Sequence, residues 1–254
     1  MGVAGQVELM GLRFDALTDQ QAIAHVLRGV ESGRGGWVCT ANLEILRRYH
    51  DERGLRALVD GASLVLADGL PVVWASRLAG TPLPERVAGS GLLWTLPERA
   101  AEEGRSVFLL GGNPGAAEAT AVRLLERYPA LRVAGTHCPP FGFEKDPREL
   151  TRISAALAAG APDIVFVALG FPKQERLIDA LRREHPAAWF IPCGIAFSYV
   201  SGEVRQAPLL MQRMGLEWLL RLVQEPRRLV RRYLVNGLPF AVRLAIGAWS
   251  VRRS

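Results

Sequence analysis

The sequence predicts an α/β fold: a mainly parallel sheet with flanking helices, plus an arginine-rich helical appendage at the C-terminus. Three observations carry that expectation. Short runs such as Ser63–Ala67 (SLVLA), Ser106–Leu110 (SVFLL) and Asp163–Leu169 (DIVFVAL) are nearly continuously apolar, as strands buried on both faces are. Longer amphipathic segments alternate with them, which is the rhythm of strand–helix–strand units. Beyond Ala207 the rhythm stops and only arginine-rich helix follows.

Val7–Met10 reads as a short strand. Thr18 opens a helix to about Glu31, with Gln21 three residues on to complete a capping box. Gly36–Thr40 is a strand, and Leu43–Tyr49 and Arg53–Val59 are helices. Ser63–Ala67 is a buried strand, followed by Asp68-Gly69 and a helix over Leu70–Leu78. Leu92–Glu103 is helical and Ser106–Leu110 a strand. Gly111-Gly112-Asn113-Pro114-Gly115 is a loop leading into a helix over Ala116–Arg127. Leu131–Gly135 is a strand, Leu150–Ala159 a helix and Asp163–Leu169 a strand. Gly170-Phe171-Pro172 turns into a helix over Lys173–Glu184, and Ala188–Pro192 is the last strand. A boundary near Gly202–Pro208 divides an α/β domain, residues 1–204, from the appendage, residues 205–254.

Charge is unevenly placed along the 254 residues. From Arg205 to Ser254 there are ten arginines, no lysine and two acids, Glu217 and Glu225, a net of +8. The first 204 residues hold 21 basic and 23 acidic groups, a net of −2. Such a tail suits an anionic membrane, a polyanionic ligand or nucleic acid, or is simply a solvated helix face. The three cysteines, Cys39, Cys138 and Cys193, form no CxxC pair, and the four histidines form neither HxxxH nor HExxH. No disulfide framework or local metal site is expected. The N-terminus shows no signal-peptide pattern. Leu234–Val251 is the most hydrophobic stretch, but Asn236, Pro239 and Arg243 interrupt it, and it reads as too short to span a bilayer.

Four places can carry chemistry, all at predicted carboxyl ends of strands, where open α/β sheets bind ligands. The strand–Gly111-Gly112–helix unit offers free backbone N–H groups and a helix N-terminus to a phosphate, or is a tight turn. It is neither a Walker A nor a GxGxxG motif. Asp68 is either the cap of the next helix or a catalytic base. Thr40 and Asn42 can hydrogen-bond a sugar or base, or cap a helix. Lys173 and Gln174, beside Glu175, project at the end of another strand.

In this order the chain carries Thr40-Ala41-Asn42, Ala67-Asp68-Gly69, Arg86-Val87-Ala88-Gly89-Ser90 and Leu169-Gly170-Phe171-Pro172-Lys173-Gln174-Glu175. Then come Gly215-Leu216-Glu217-Trp218, Glu225-Pro226-Arg227-Arg228 and Arg232-Tyr233-Leu234. Together they resemble the WecG/TagA/CpsF glycosyltransferases (family 26), from about Val7 to Leu234. The resemblance implies an inverting, metal-independent transferase in cell-surface polysaccharide or teichoic acid synthesis. It would move an N-acetylhexosamine, N-acetylmannosamine or its uronic acid first, from a UDP-sugar to a polyprenyl-diphosphate-linked saccharide.

The resemblance assigns Asp68 as base and Thr40, Asn42, Arg86 and Gln174 to the pocket. Gly111, Gly112, Lys173, Arg221, Arg228 and Arg231 are further candidates for binding substrate. No cofactor is implied, since the UDP-sugar is a substrate. No DxD is present, because Asp68 stands between Ala67 and Gly69, so protein cations must meet the charge of departing UDP. The partners implied are the UDP-sugar, the lipid acceptor and an anionic membrane surface, on whose cytoplasmic face the protein would sit peripherally. Nucleic acid is not expected, and a homo-oligomer stays open.

Two other classes compete. A nucleotide-dependent oxidoreductase fits the strand–Gly–helix unit but lacks GxGxxG and an acid about 20 residues on. A nucleic-acid-binding protein fits the basic tail but lacks any recognised motif.

Overall fold

The computed structural model describes residues 5–205, 207, 208, 211 and 216–253, with the side chain of Arg228 excepted. Leu209, Leu210, Arg213 and Gly215 of the basic tail lie outside the described residues. The chain opens with a hairpin, β1 (Gln6–Leu9) and β2 (Leu12–Asp15), and then α1 (Asp19–Glu31). Next come β3 (Gly36–Ala41), α2 (Leu43–Asp51), α3 (Arg53–Asp60), β4 (Leu64–Ala67), α4 (Leu70–Leu78) and α5 (Gly89–Glu102). They are followed by β5 (Ser106–Gly111), α6 (Ala116–Arg127), β6 (Arg132–His137), α7 (Pro147–Gly160), β7 (Ile164–Ala168) and α8 (Lys173–Glu184). The described chain ends with β8 (Trp189–Pro192), α9 (Ala196–Val200), α10 (Glu217–Gln224), α11 (Pro226–Val230), a π-helical turn (Arg231–Gly237) and α12 (Leu238–Val251).

β3 to β8 form one six-stranded sheet in the order β4-β3-β8-β7-β5-β6, every pair parallel. The α/β architecture expected from the sequence is therefore present. Strand side chains alternate between two cores. Trp37, Cys39 and Ala41 of β3, with Val165 and Val167 of β7, join the core under α2, α3, α4, α7, α8 and the hairpin. Val38 of β3, with Ile164, Phe166 and Ala168 of β7, joins the core under α1, α5, α6 and α9. This two-residue period is why both faces had to be apolar.

Local signals hold where capping is explicit. Thr18 Oγ1 accepts from Gln21 N at 3.3 Å and Gln21 Oε1 accepts from Thr18 N at 2.9 Å. Other boundaries differ from the sequence reading. Met10 is not in a strand: with Gly11 it forms the left-handed turn of a hairpin (φ 52° and 84°), and Leu12–Asp15 is a second strand. α7 starts at Pro147 because Asp146 caps it through Arg148 N and proline needs no donor at that position. α5 starts at Gly89, where a Cβ would lie 2.1 Å from Pro192 O, so only glycine lets the helix start against the end of β8.

The C-terminal helices pack on the domain. Phe240, Leu244 and Ala248 of α12 are buried in the same core as the hairpin and α4. The helical run Arg231–Val251 is 21 residues long and contains an 18-residue window of mean hydropathy 1.4, long and apolar enough to cross a bilayer. The interruptions read from the sequence do not break it, since Asn236 sits in the π-turn and Pro239 in the first turn of α12. Its outer side is an exposed apolar stripe, Val235, Leu238, Val242, Ile246 and Trp249, and α4, which packs against α12, exposes Trp74 and Leu78.

Candidate active site

A cleft opens at the carboxyl ends of β4, β3, β8 and β7. β3 leads into α2 on one face and β8 into α9 on the other, so the cleft sits where the chain leaves adjacent strands in opposite directions. Residues at the starts of α2, α5 and α8 line it, which turns positive helix ends toward it.

Asp68 stands one residue past β4. Its N–H donates to Ala41 O at 3.0 Å, which continues the ladder and fixes its position. Gly69, not Asp68, is the N-cap of α4, and no side chain caps that helix. The capping alternative is therefore closed, and the carboxylate faces the cleft. Arg86 Nε donates to Asp68 Oδ1 at 3.1 Å. The loop that carries Arg86 is tied down by Val87 N donating to Ala67 O at 2.9 Å. Burial raises the Asp68 pKa above its ordinary value, against the pull of Arg86.

Arg86 also binds Glu217 of α10 through both terminal nitrogens, at 3.2 and 2.9 Å. The C-terminal helices thereby close one side of the cleft and add Glu217, Arg221 and Arg232 to its lining. Arg221 Nε is buried with no hydrogen-bond partner among the described residues. An orphaned buried donor is costly, and a guanidinium in a cleft is suited to a phosphate.

Thr40 lines the cleft at the end of β3. Asn42 does both things open to it: Oδ1 caps α2 by accepting from Glu44 N and Ile45 N at 3.0 and 3.1 Å, while the residue lines the cleft. Gln174 is buried in the wall, and its Oε1 accepts from Gly170 N at 3.1 Å and Gly194 N at 3.2 Å. It ties the β7–α8 loop to the β8–α9 loop.

The other candidates lie elsewhere. Gly111 ends β5 and Gly112 follows it, one strand beyond the lining residues. A Cβ on Gly111 would meet Ala168 O at 2.7 Å, which makes it a close-approach glycine. Lys173 pairs with Glu144 at 2.8 Å and is half-exposed. Arg231 is exposed and outside the lining, and its neighbour Arg232 takes that place. The side chain of Arg228 lies outside the described residues. The sequence reading did not select Phe171, Gly194, Tyr199, Glu217 or Arg232. Glu217 and Arg232 stand within the quoted tail motifs, and only the packing of α10 shows that they reach the cleft. Among the described residues no cluster of three or more His, Cys, Asp or Glu could hold a metal ion.

A profile of the glycosyl transferase WecG/TagA/CpsF family matches residues 7–254. The chain belongs to that family. It is 35% identical over 199 residues to a protein of Bacillus spizizenii named N-acetylglucosaminyldiphosphoundecaprenol N-acetyl-beta-D-mannosaminyltransferase. That match covers 78% of this chain and 75% of the relative. The residues matched by the family profile include the C-terminal helices that line the cleft.

Proposed function

We propose that this glycosyltransferase moves N-acetylmannosamine or its uronic acid from a UDP-sugar to a polyprenyl-diphosphate-linked N-acetylglucosamine, by a single inverting displacement. The donor sugar and acceptor follow the name of the Bacillus relative. In the reaction an acceptor hydroxyl attacks the anomeric carbon as Asp68 takes its proton. The bond from that carbon to the diphosphate oxygen breaks, and UDP leaves with the electron pair. Attack opposite the leaving group inverts the centre.

The observation that carries this reading is Asp68: a cleft-facing carboxylate, free of any capping role and raised in pKa, beside arginines. A raised pKa brings a carboxylate toward the strength a base needs near neutral pH. Arg221 and Arg232 supply positive charge for the departing diphosphate, the role a metal plays in other transferases. Arg86, held between two acids, orients Asp68.

The acceptor lipid resides in a membrane, and the reading places the protein peripherally on the cytoplasmic face. The exposed apolar residues of the helical run support this, because Arg227, Arg231, Arg243, Arg252 and Arg253 of the C-terminal helices are exposed too and no acid occurs in residues 226–253. The test is turnover by the purified protein with a panel of UDP-sugars and a short polyprenyl-diphosphate N-acetylglucosamine. The expected product is the disaccharide lipid, with release of UDP. Failure with every donor would overturn the assignment.

A further inference from the structure

Glu175 is a buried acid that the chemistry above leaves unused. It is 1% exposed. Its Oε1 accepts a 2.8 Å hydrogen bond from Gln174 Nε2, and its Oε2 is buried without a partner among the described residues. A buried acid with one bare oxygen costs stability that an apolar side chain of the same size would not.

The other end of Gln174 shows what that acid does. Gln174 Oε1 accepts from the backbone N–H groups of Gly170 and Gly194. Both glycines line the cleft, on loops that follow different strands. The two ends of a primary amide have nearly the same shape, so hydrogen-bond partners alone decide which way it points. Two N–H groups on one side call for its oxygen, and a carboxylate on the other calls for its NH₂.

Two charged or titratable groups stand near Glu175 on other elements. Arg48 of α2 is bound to Glu52 and lies 5.1 Å from the Phe171 ring centre, and the buried Cys39 thiol comes from β3. Burial pushes Glu175 up to about 7. The carboxylate and the carbonyl oxygen of the neutral acid can both accept from Gln174, so the arrangement persists on either side of that value.

We propose that Glu175 is a positioning residue of the transfer site, acting through the Gln174 amide to hold the Gly170 and Gly194 loops at the spacing the bound sugar nucleotide requires. The inference rests on the transferase reading for its consequence but not for its geometry, and the test separates the two.

Three variants of the full chain decide it: Glu175→Met, Glu175→Gln, and the exchange Gln174→Glu with Glu175→Gln. Methionine fills the space and accepts no comparable hydrogen bond. It is expected to lower kcat/KM about tenfold, mainly through donor KM, with an unchanged or higher melting temperature. Amide hydrogen exchange at Gly170 and Gly194 should quicken. Glu175→Gln keeps a carbonyl acceptor and should recover most of both losses. In the exchanged pair the new carboxylate accepts from the two glycines and from the new amide, so it should outperform Gln174→Glu alone, which sets two acids together.

Wild-type turnover reports on the transferase reading, whereas the exchange rates need no substrate. The inference is overturned if Glu175→Met keeps wild-type kcat/KM and glycine protection. It is equally overturned if Glu175→Gln is as impaired as Glu175→Met. Should Glu175→Met not fold, an exchanged pair no better than Gln174→Glu alone refutes it.

Discussion

Asp68→Asn separates chemistry from architecture. The amide oxygen can still accept from Arg86 Nε, where the carboxylate now stands at 3.1 Å, and Arg86 keeps its two bonds to Glu217. The cleft should therefore keep its shape while losing its base. Loss of a general base costs about 10²–10⁴-fold in rate, about 3–5 kcal/mol of barrier. Stability should move the other way. The folded pKa of Asp68 lies above the unfolded value, so the native state holds the proton more tightly. Stability from this group is then lost as pH rises from the unfolded pKa through the folded one. Above that window the ionised acid is a burden that asparagine lacks, and the variant should melt no lower than wild type. Rates of UDP release across pH provide the assay. Wild-type kcat/KM should climb through a limb above the ordinary aspartate range, and the variant should lack it. Turnover within a few-fold of wild type, or an unchanged acid limb, would refute Asp68 as base.

Transfer should run at full rate in excess chelator; activity that vanishes and returns with manganese would sink the role given to the arginines. Arg221→Ala should weaken UDP binding about tenfold or more by calorimetry, because charge-assisted bonds to phosphate are lost. Arg231→Ala, an exposed residue outside the cleft, should stay within about twofold, since it contributes no hydrogen bond to the ligand; equal losses in the two would contradict the tail packing. Leu238→Glu with Val242→Glu should reduce flotation with anionic vesicles about tenfold, by exchanging exposed apolar area for charge. Turnover of a soluble acceptor analogue should persist in that variant, and undiminished flotation would remove the α12 stripe from the membrane contact.

The parallel sheet was legible because five of its six strands, all but the edge strand β6, are largely apolar and buried on both faces, and Thr18–Gln21 fixed one helix start chemically. The hairpin was half-read: Val7 and Leu9 gave a strand, but Met10 in a left-handed turn carries no composition signal. In the site, Thr40, Asn42, Asp68 and Gln174 lie at or just past the carboxyl ends of strands, as their positions suggested, and Arg86, which only the family resemblance had named, lines the same cleft. What each atom does was not legible. Asp68 and Asn42 both looked like caps, and only the hydrogen bonds show that Asn42 caps and Asp68 does not. The tail arginines were hardest, since neighbours on a helix face different ways: Arg232 turns in while Arg231 stays exposed.

The packing of α12 changes what a deletion can mean. Phe240, Leu244 and Ala248 seal an edge of the core, Gly247 lies against Met10 Sδ, and Arg243 reaches His50 Nε2 at 3.0 Å. Cutting the chain before this helix would uncover greasy surface on α4 and the hairpin and invite self-association. A longer cut, before α10, would also remove Glu217 from Arg86 and two arginines from the cleft. An inactive, sticky truncation would thus say nothing about lipid targeting. The last fifth of the chain is a wall of the enzyme on its inner side and an outward surface on the other, and only substitutions confined to one side can tell the two apart.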